Sequence, residues 1–107
     1  MKTECLHILF ACRDSLGKLI IHMTPGDGEI DDFDRLVQCR DRVSAIIGAV
    51  IAKEFKSVTE GLMASIDQLA TATAKLGKVQ QTIEGTRQAI QIADEVIKLV
   101  IQILAVV

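Results

Sequence analysis

The chain has no tryptophan, no tyrosine, three phenylalanines, one proline and two histidines in 107 residues. Half of the residues are apolar all the same, so the buried surface is built from Ala, Val, Ile and Leu, which suits packed helices or a surface covered by a partner. Cys5, Cys12 and Cys39 are odd in number and lack Cys-x-x-Cys spacing, which excludes a fully paired disulfide framework within one chain. A reducing cytoplasmic setting is the expectation; export or membrane association is the less favoured one. Twelve basic against fourteen acidic residues leave a net charge of −2 with no Lys/Arg run, so nucleic acid is not an expected partner.

No apolar run reaches the roughly 18 to 20 residues of a membrane-spanning helix. The longest candidates are "AIIGAVIA" (45–52) and "VIKLVIQILAVV" (96–107). The opening "MKTECLHILFAC" has a short apolar core that contains His7 and follows Glu4, which is poor for a secretory signal, although "LFAC" is similar to a bacterial lipobox ending at Cys12. The sequence also lacks a Gly-rich phosphate loop, a Gly-x-Ser-x-Gly elbow and paired carboxylates facing a histidine. No enzymatic activity, cofactor or metal is expected from it.

What is present is helical periodicity in a chain of single-domain size. Over 3–23, Glu4, His7, Asp14, Lys18 and His22 share one stripe, with Leu6, Leu9, Phe10, Leu16, Ile20 and Met23 mostly opposite. A β-hairpin turning at "RDSLGK" competes with that helix. Thr24-Pro25-Gly26-Asp27-Gly28 breaks the pattern. A second helix over 31–55 starts with Asp31, Asp32 and Asp34, placed to meet free N–H groups and the positive end of the helix dipole. Its "AIIGAVIA" is apolar on every side, which calls for protein or lipid around it.

From "KEFKSVTE", where Ser57 and Glu60 read as a capping box, a heptad pattern begins. Phe55, Leu62, Leu69, Leu76, Ile83, Ile90, Ile97 and Leu104 recur at a spacing of seven. Three residues further on lie Val58, Ser65, Ala72, Val79, Thr86, Ala93, Val100 and Val107, all small or apolar. Such a register predicts one continuous helix over 57–107, about 77 Å long at 1.5 Å per residue. Half of it would lack an intrachain partner, so continuity implies a homo-oligomer joined along the seam Leu62, Leu69, Leu76, Val79, Ile83, Ile90, Ile97, Val100 and Leu104. Arg87 and Asp94 beside the seam are the polar residues placed to fix its register. The alternative is a compact four-helix bundle with a break at Leu76-Gly77-Lys78, where Gly77 would form a left-handed C-cap.

Two clusters suggest chemistry at first sight. His7 and His22 lie near Cys5 and Cys12 in sequence, but on a helix His7 points about 200° away from Cys5, which fits buried thiols and surface imidazoles. "DGEIDDFD" (27–34) resembles the second half of an EF-hand calcium loop, with Gly28 at the turn, Ile30 at the central apolar position and Asp34 in place of the bidentate Glu. It is also similar to the acidic loop of TerB-like helical domains. Both likenesses cover eight residues, and Met23 and Pro25 at the first two ligand positions supply no side-chain oxygen, so helix capping is the favoured role.

The reading is a single all-helical domain over 1–107: two amphipathic helices (3–23 and 31–55) and the heptad segment. Its function is non-enzymatic self-assembly or interaction, as an oligomer or a filament-like bundle. A membrane-active pore-forming or translocation protein is one alternative. A small regulatory module such as a chaperone, immunity or inhibitor protein is another. A protein partner or a membrane surface are the further expected partners.

Overall fold

A computed structural model of the chain describes residues 1–22, 30–56 and 59–107. Helices α1 (Lys2–His22), α2 (Ile30–Ala52), α3 (Glu60–Gly77) and α4 (Ile83–Val106) make up the body, with no strand among the described residues. The all-α class is as expected, and so is α1, which runs without a hairpin through "RDSLGK". The continuous helix over 57–107 is not formed: the chain breaks after Gly77, and the body extends only 47 × 22 × 17 Å.

Each helix buries one stripe at intervals of three and four. In α1 it is Cys5, Leu9, Cys12, Leu16 and Leu19, and in α2 Leu36, Cys39, Val43, Ile47 and Val50. In α3, Leu62, Ile66, Leu69, Thr73 and Leu76 face inward, with Ala72 beside them. In α4 the stripe runs through Thr86, Ala89, Ala93, Val96, Val100 and Ile103. Each fully buried Leu, Ile or Val contributes about 1.5–3 kcal/mol through removal from water.

Helix α1 packs against α2 and α3, and α4 packs against the same two, so the order around the bundle is α1, α2, α4, α3. Lys2 Nζ donates to the Ile51 carbonyl at 2.6 Å, which sets the start of α1 beside the end of α2 and satisfies a free carbonyl where a cation is favoured. Ser15 lies against Gly77 at the end of α3, so α1 and α3 run parallel. Asp32 with Arg87, and Arg42 with Asp94, likewise set α2 parallel to α4. The molecule is two antiparallel hairpins laid side by side, like helix next to like helix. α2 and α3 stand diagonally, and the connection between them crosses one end of the bundle, where Phe55 packs partly buried on the core.

The reversal between α3 and α4 explains why the heptads do not form one rod. Lys78, in right-handed conformation (φ −100°, ψ −1°), closes α3 by donating its N–H to the Lys75 and Leu76 carbonyls. Gly77 is helical and does not form the left-handed cap that its position suggests. Thr82, extended at φ −126°, ψ 169°, then caps α4: its Oγ1 accepts from Gly85 N at 2.9 Å. A Cβ on Gly85 would fall inside the Gln80 carbonyl, so glycine is required there. At the start of α3 the cap is Thr59, whose Oγ1 accepts from Leu62 N at 3.1 Å. Thr59 is a simple N-cap, since Leu62 in the third helical position has no carboxylate to complete a capping box; Ser57 of the expected box lies outside the described residues.

Urea unfolding of three variants checks this arrangement. Leu76→Ala is expected to cost about 2–5 kcal/mol, as for a buried leucine. Ile83→Ala, at a site 46% exposed, is expected to cost less than about 1 kcal/mol. Gly85→Ala is expected to destabilise by more than the roughly 1 kcal/mol of a lost cap, because backbone must move. Equal effects at Leu76 and Ile83 would restore the continuous seam.

Candidate interaction surfaces

The seam residues divide between the core and the surface. Leu62, Leu69, Leu76, Ile97 and Val100 are buried within the chain; Val79, Ile90 and Leu104 are half-buried; Ile83 is exposed. The large residues of α3 therefore already have partners in the chain's own α1 and α4. Arg87 and Asp94 both meet α2: Arg87 Nε donates to Asp32 Oδ2 at 3.1 Å, and Arg42 Nη1 lies 3.5 Å from Asp94 Oδ1. Asp32 is nearly buried while Arg87 is more than half exposed, so the carboxylate is fixed and the guanidinium reaches in from solvent.

Cys5 and Cys12 sit in the core, whereas His7 and His22 are exposed. Among the described residues, no group of three His, Cys, Asp or Glu side chains could hold a metal ion. Of the acidic run from 27 to 34, residues 27–29 lie outside the described residues; within the described part, Asp32 is engaged by Arg87.

Burial pushes all three thiols upward in pKa. Cys12 reaches about 12, through burial first and the neighbouring Cys39 second, with the Thr73 hydroxyl opposing. Cys5 is raised by burial against the amino-terminal ammonium. Cys39 is raised by burial and Asp94 against Arg42. Thiols held in the neutral form are poor nucleophiles and poor metal ligands. Beside Cys12, the Thr73 hydroxyl is buried and makes no well-formed hydrogen bond.

Four surface features remain. A polar cleft of about 450 Å³ lies in the α3–α4 turn among Lys75, Lys78, Gln80 and Glu84. A second, of about 320 Å³, lies on the α2–α4 face between Arg35, Arg42 and Asp94. The third is a shallow apolar groove of about 460 Å³ between α1 and α3, walled by Ile8, Ala11, Ser15, Ala70, Ala74 and Gly77. The fourth is one end of the bundle, where α1 and α3 begin and α2 and α4 finish. Ile51, Met63, Ile101 and Val106, each at least half exposed, all lie toward it.

"AIIGAVIA" is not enclosed as its composition suggests. Ile47 and Val50 are buried, but Ala45, Gly48, Ala49, Ile51 and Ala52 face outward, so small side chains keep the exposed apolar area low. Among the described residues, no helix is long and apolar enough to cross a membrane. No protein-family model, curated protein or solved structure matches the chain.

Two measurements test the buried polar groups. Thr73→Val removes the one influence that opposes the rise in the Cys12 pKa and, since it breaks only a weak contact to sulfur, is expected to leave stability within about 1 kcal/mol of the wild type. The thiols contribute to pH dependence with a definite sign. Their folded pKa values lie above the unfolded value, so their contribution to stability is complete below about pH 9 and lost as pH rises through the folded values, that of Cys12 being about 12. Urea midpoints that stay constant from pH 8.5 to 11 in the wild type, or fall equally in a Cys12→Ala variant, would contradict this assignment.

Proposed function

We propose that the chain is a non-enzymatic helical interaction protein that works inside the cell by contact with other chains, its own copies included. The observation that supports this most is the gathering of Ile51, Met63, Ile101 and Val106 toward one end of the bundle. Four of the six large hydrophobic side chains that stand exposed among the described residues lie toward that end, Ile21 and Ile83 being the other two, and a small body that has already buried its heptad leucines gains nothing in stability from leaving them in water. Burial against a partner gives them a use. Association through this end takes the place of the seam suggested by the heptads, because the seam's large residues in α3 are occupied within the chain.

A membrane surface is the second reading. It is favoured by the parallel packing of α2 and α4, which brings "AIIGAVIA" and the C-terminal apolar segment to the same end. A small regulatory module such as a chaperone, immunity or inhibitor protein is compatible with the same self-contained body, the partner then being a different chain.

The test compares the wild type with Ile101→Asp and Ile51→Asp, both at exposed positions. Wild-type protein is expected to bind a hydrophobic dye and to associate end to end as concentration rises, and either variant is expected to reduce both several-fold at unchanged helicity. A wild type that neither binds dye nor associates would refute the interaction reading. Release of dye from anionic liposomes by the wild type but not by Ile101→Asp would replace it with the membrane one.

A further inference from the structure

Cys12 and Cys39 belong to none of the surfaces proposed for contact, yet they face each other across the first hairpin. Helices α1 and α2 are antiparallel, with Lys2 beside Ile51. That register sets the buried stripes level as Cys5 with Ile47, Leu9 with Val43, Cys12 with Cys39 and Leu16 with Leu36. Cys39 also contributes to the raised pKa of Cys12, which places the two sulfurs near each other independently of the register. Facing residues on helices about 8–10 Å apart have Cα atoms roughly 4–6 Å apart, since each lies about 2.3 Å from its own axis. A disulfide spans about 4.4–6.8 Å between Cα atoms. The two thiols differ in their access to solvent. Cys12 is fully buried, with the Thr73 hydroxyl of α3 against it. Cys39 keeps 4% of its surface and lines the cleft on the α2–α4 face, among Arg35, Arg42 and Asp94. Cys5, two turns before Cys12 on α1, is level with Ile47 and not with a thiol.

We propose that Cys12 and Cys39 form a reversible disulfide that locks α1 to α2 when the chain meets hydrogen peroxide, with Cys39 reacting first from the cleft. Peroxide is small and uncharged, so the cleft admits it. The Cys39 thiol gives its proton to solvent, and its sulfur attacks one peroxide oxygen. The O–O bond breaks, the other oxygen leaves as hydroxide and takes up a proton to become water, and Cys39 is left as a sulfenic acid. The Cys12 sulfur then attacks the Cys39 sulfur; the S–S bond forms, the S–O bond breaks, and the oxygen leaves as water with the Cys12 proton. Two thiols have lost two electrons and two protons, and one peroxide has become two waters. Arg42 favours the Cys39 thiolate, against burial and Asp94, and so assists the first step. Burial of both thiols keeps the reaction slow at neutral pH, so the bond responds to sustained oxidation, and in a reducing compartment thiol reductants reopen it. The link joins residues 27 apart in sequence and restricts the unfolded chain.

The experiment exposes the full chain to hydrogen peroxide, removes the excess with catalase, alkylates the remaining thiols in urea and maps the unreduced peptides by mass spectrometry. The wild type is expected to yield a Cys12–Cys39 link within one chain, with Cys5 alkylated and helicity unchanged. Its urea midpoint is expected to rise, and dithiothreitol to reverse both the link and the rise. Cys5→Ala is expected to form the same link. In Cys12→Ala, dimedone is expected to trap a sulfenic acid at Cys39, whereas in Cys39→Ala the oxidation of Cys12 is expected to be at least tenfold slower. A wild type that keeps all three thiols under an exposure that oxidises the half-exposed Met63 overturns the proposal, as does a link through Cys5 or between two chains. Ready oxidation of Cys12 in Cys39→Ala, with Cys39 inert in Cys12→Ala, overturns Cys39 as the first to react. The wild-type map decides the pairing even where a core variant does not fold.

Discussion

Between Gln80 and Gly85 the backbone approaches itself so closely that no side chain fits, and the rest of the bundle depends on that approach. It allows the Thr82 hydroxyl to accept from the Gly85 amide, one of the free N–H groups in the first turn of α4, while the Lys78 amide closes α3, so that each helix end gains a partner within a few residues. Once the chain has reversed there, α3 packs along α4 and Leu62, Leu69 and Leu76 are buried together with Ala89, Val96 and Ile103 in one core. The hairpin then has an apolar face broad enough to cover α1 and α2.

The reversal also determines what is left at the surface. Folding α4 back along α3 turns the heptad leucines inward and places the carboxyl ends of α2 and α4 together, so that Ile51, Met63, Ile101 and Val106 stand exposed toward one end and Ile21 and Ile83 toward the other. Beside the groove, α1 and α3 present mostly small side chains, with His7 and Ile8 among them.

The helical class, the stripe on α1 and the buried thiols were legible because amphipathic periodicity carries that information directly. The break was only partly so. Apolar residues keep a spacing of seven through it, which looks continuous, but the flanking positions change. Before Gly77 the residues four after Leu62 and Leu69, namely Ile66 and Thr73, are apolar or small and buried; after it the equivalents are Arg87 and Asp94. In exchange, the positions just before the line change from Gln68 and Lys75 to Ala89, Val96 and Ile103. The buried face has rotated about the helix axis, which a straight rod cannot accommodate and a hairpin can. Thr82 was a further signal, too far from Gly77 to be taken for its cap. The partners of Arg87 and Asp94 could not be read from spacing, because they depend on α2 and α4 lying side by side. The end patch is equally a product of tertiary arrangement.

The parallel pairing of hairpins has an entropic side. Contacts within each hairpin join residues close in sequence, whereas those between hairpins join distant ones, Asp32 and Arg87 being 55 residues apart. The separation is similar along the whole hairpin-to-hairpin contact, so closing one loop brings every such pair within reach at once. The loop-closure cost of the hairpin-to-hairpin contact is then incurred once. The two hairpins are thus held to each other by contacts that all depend on one closure of the chain.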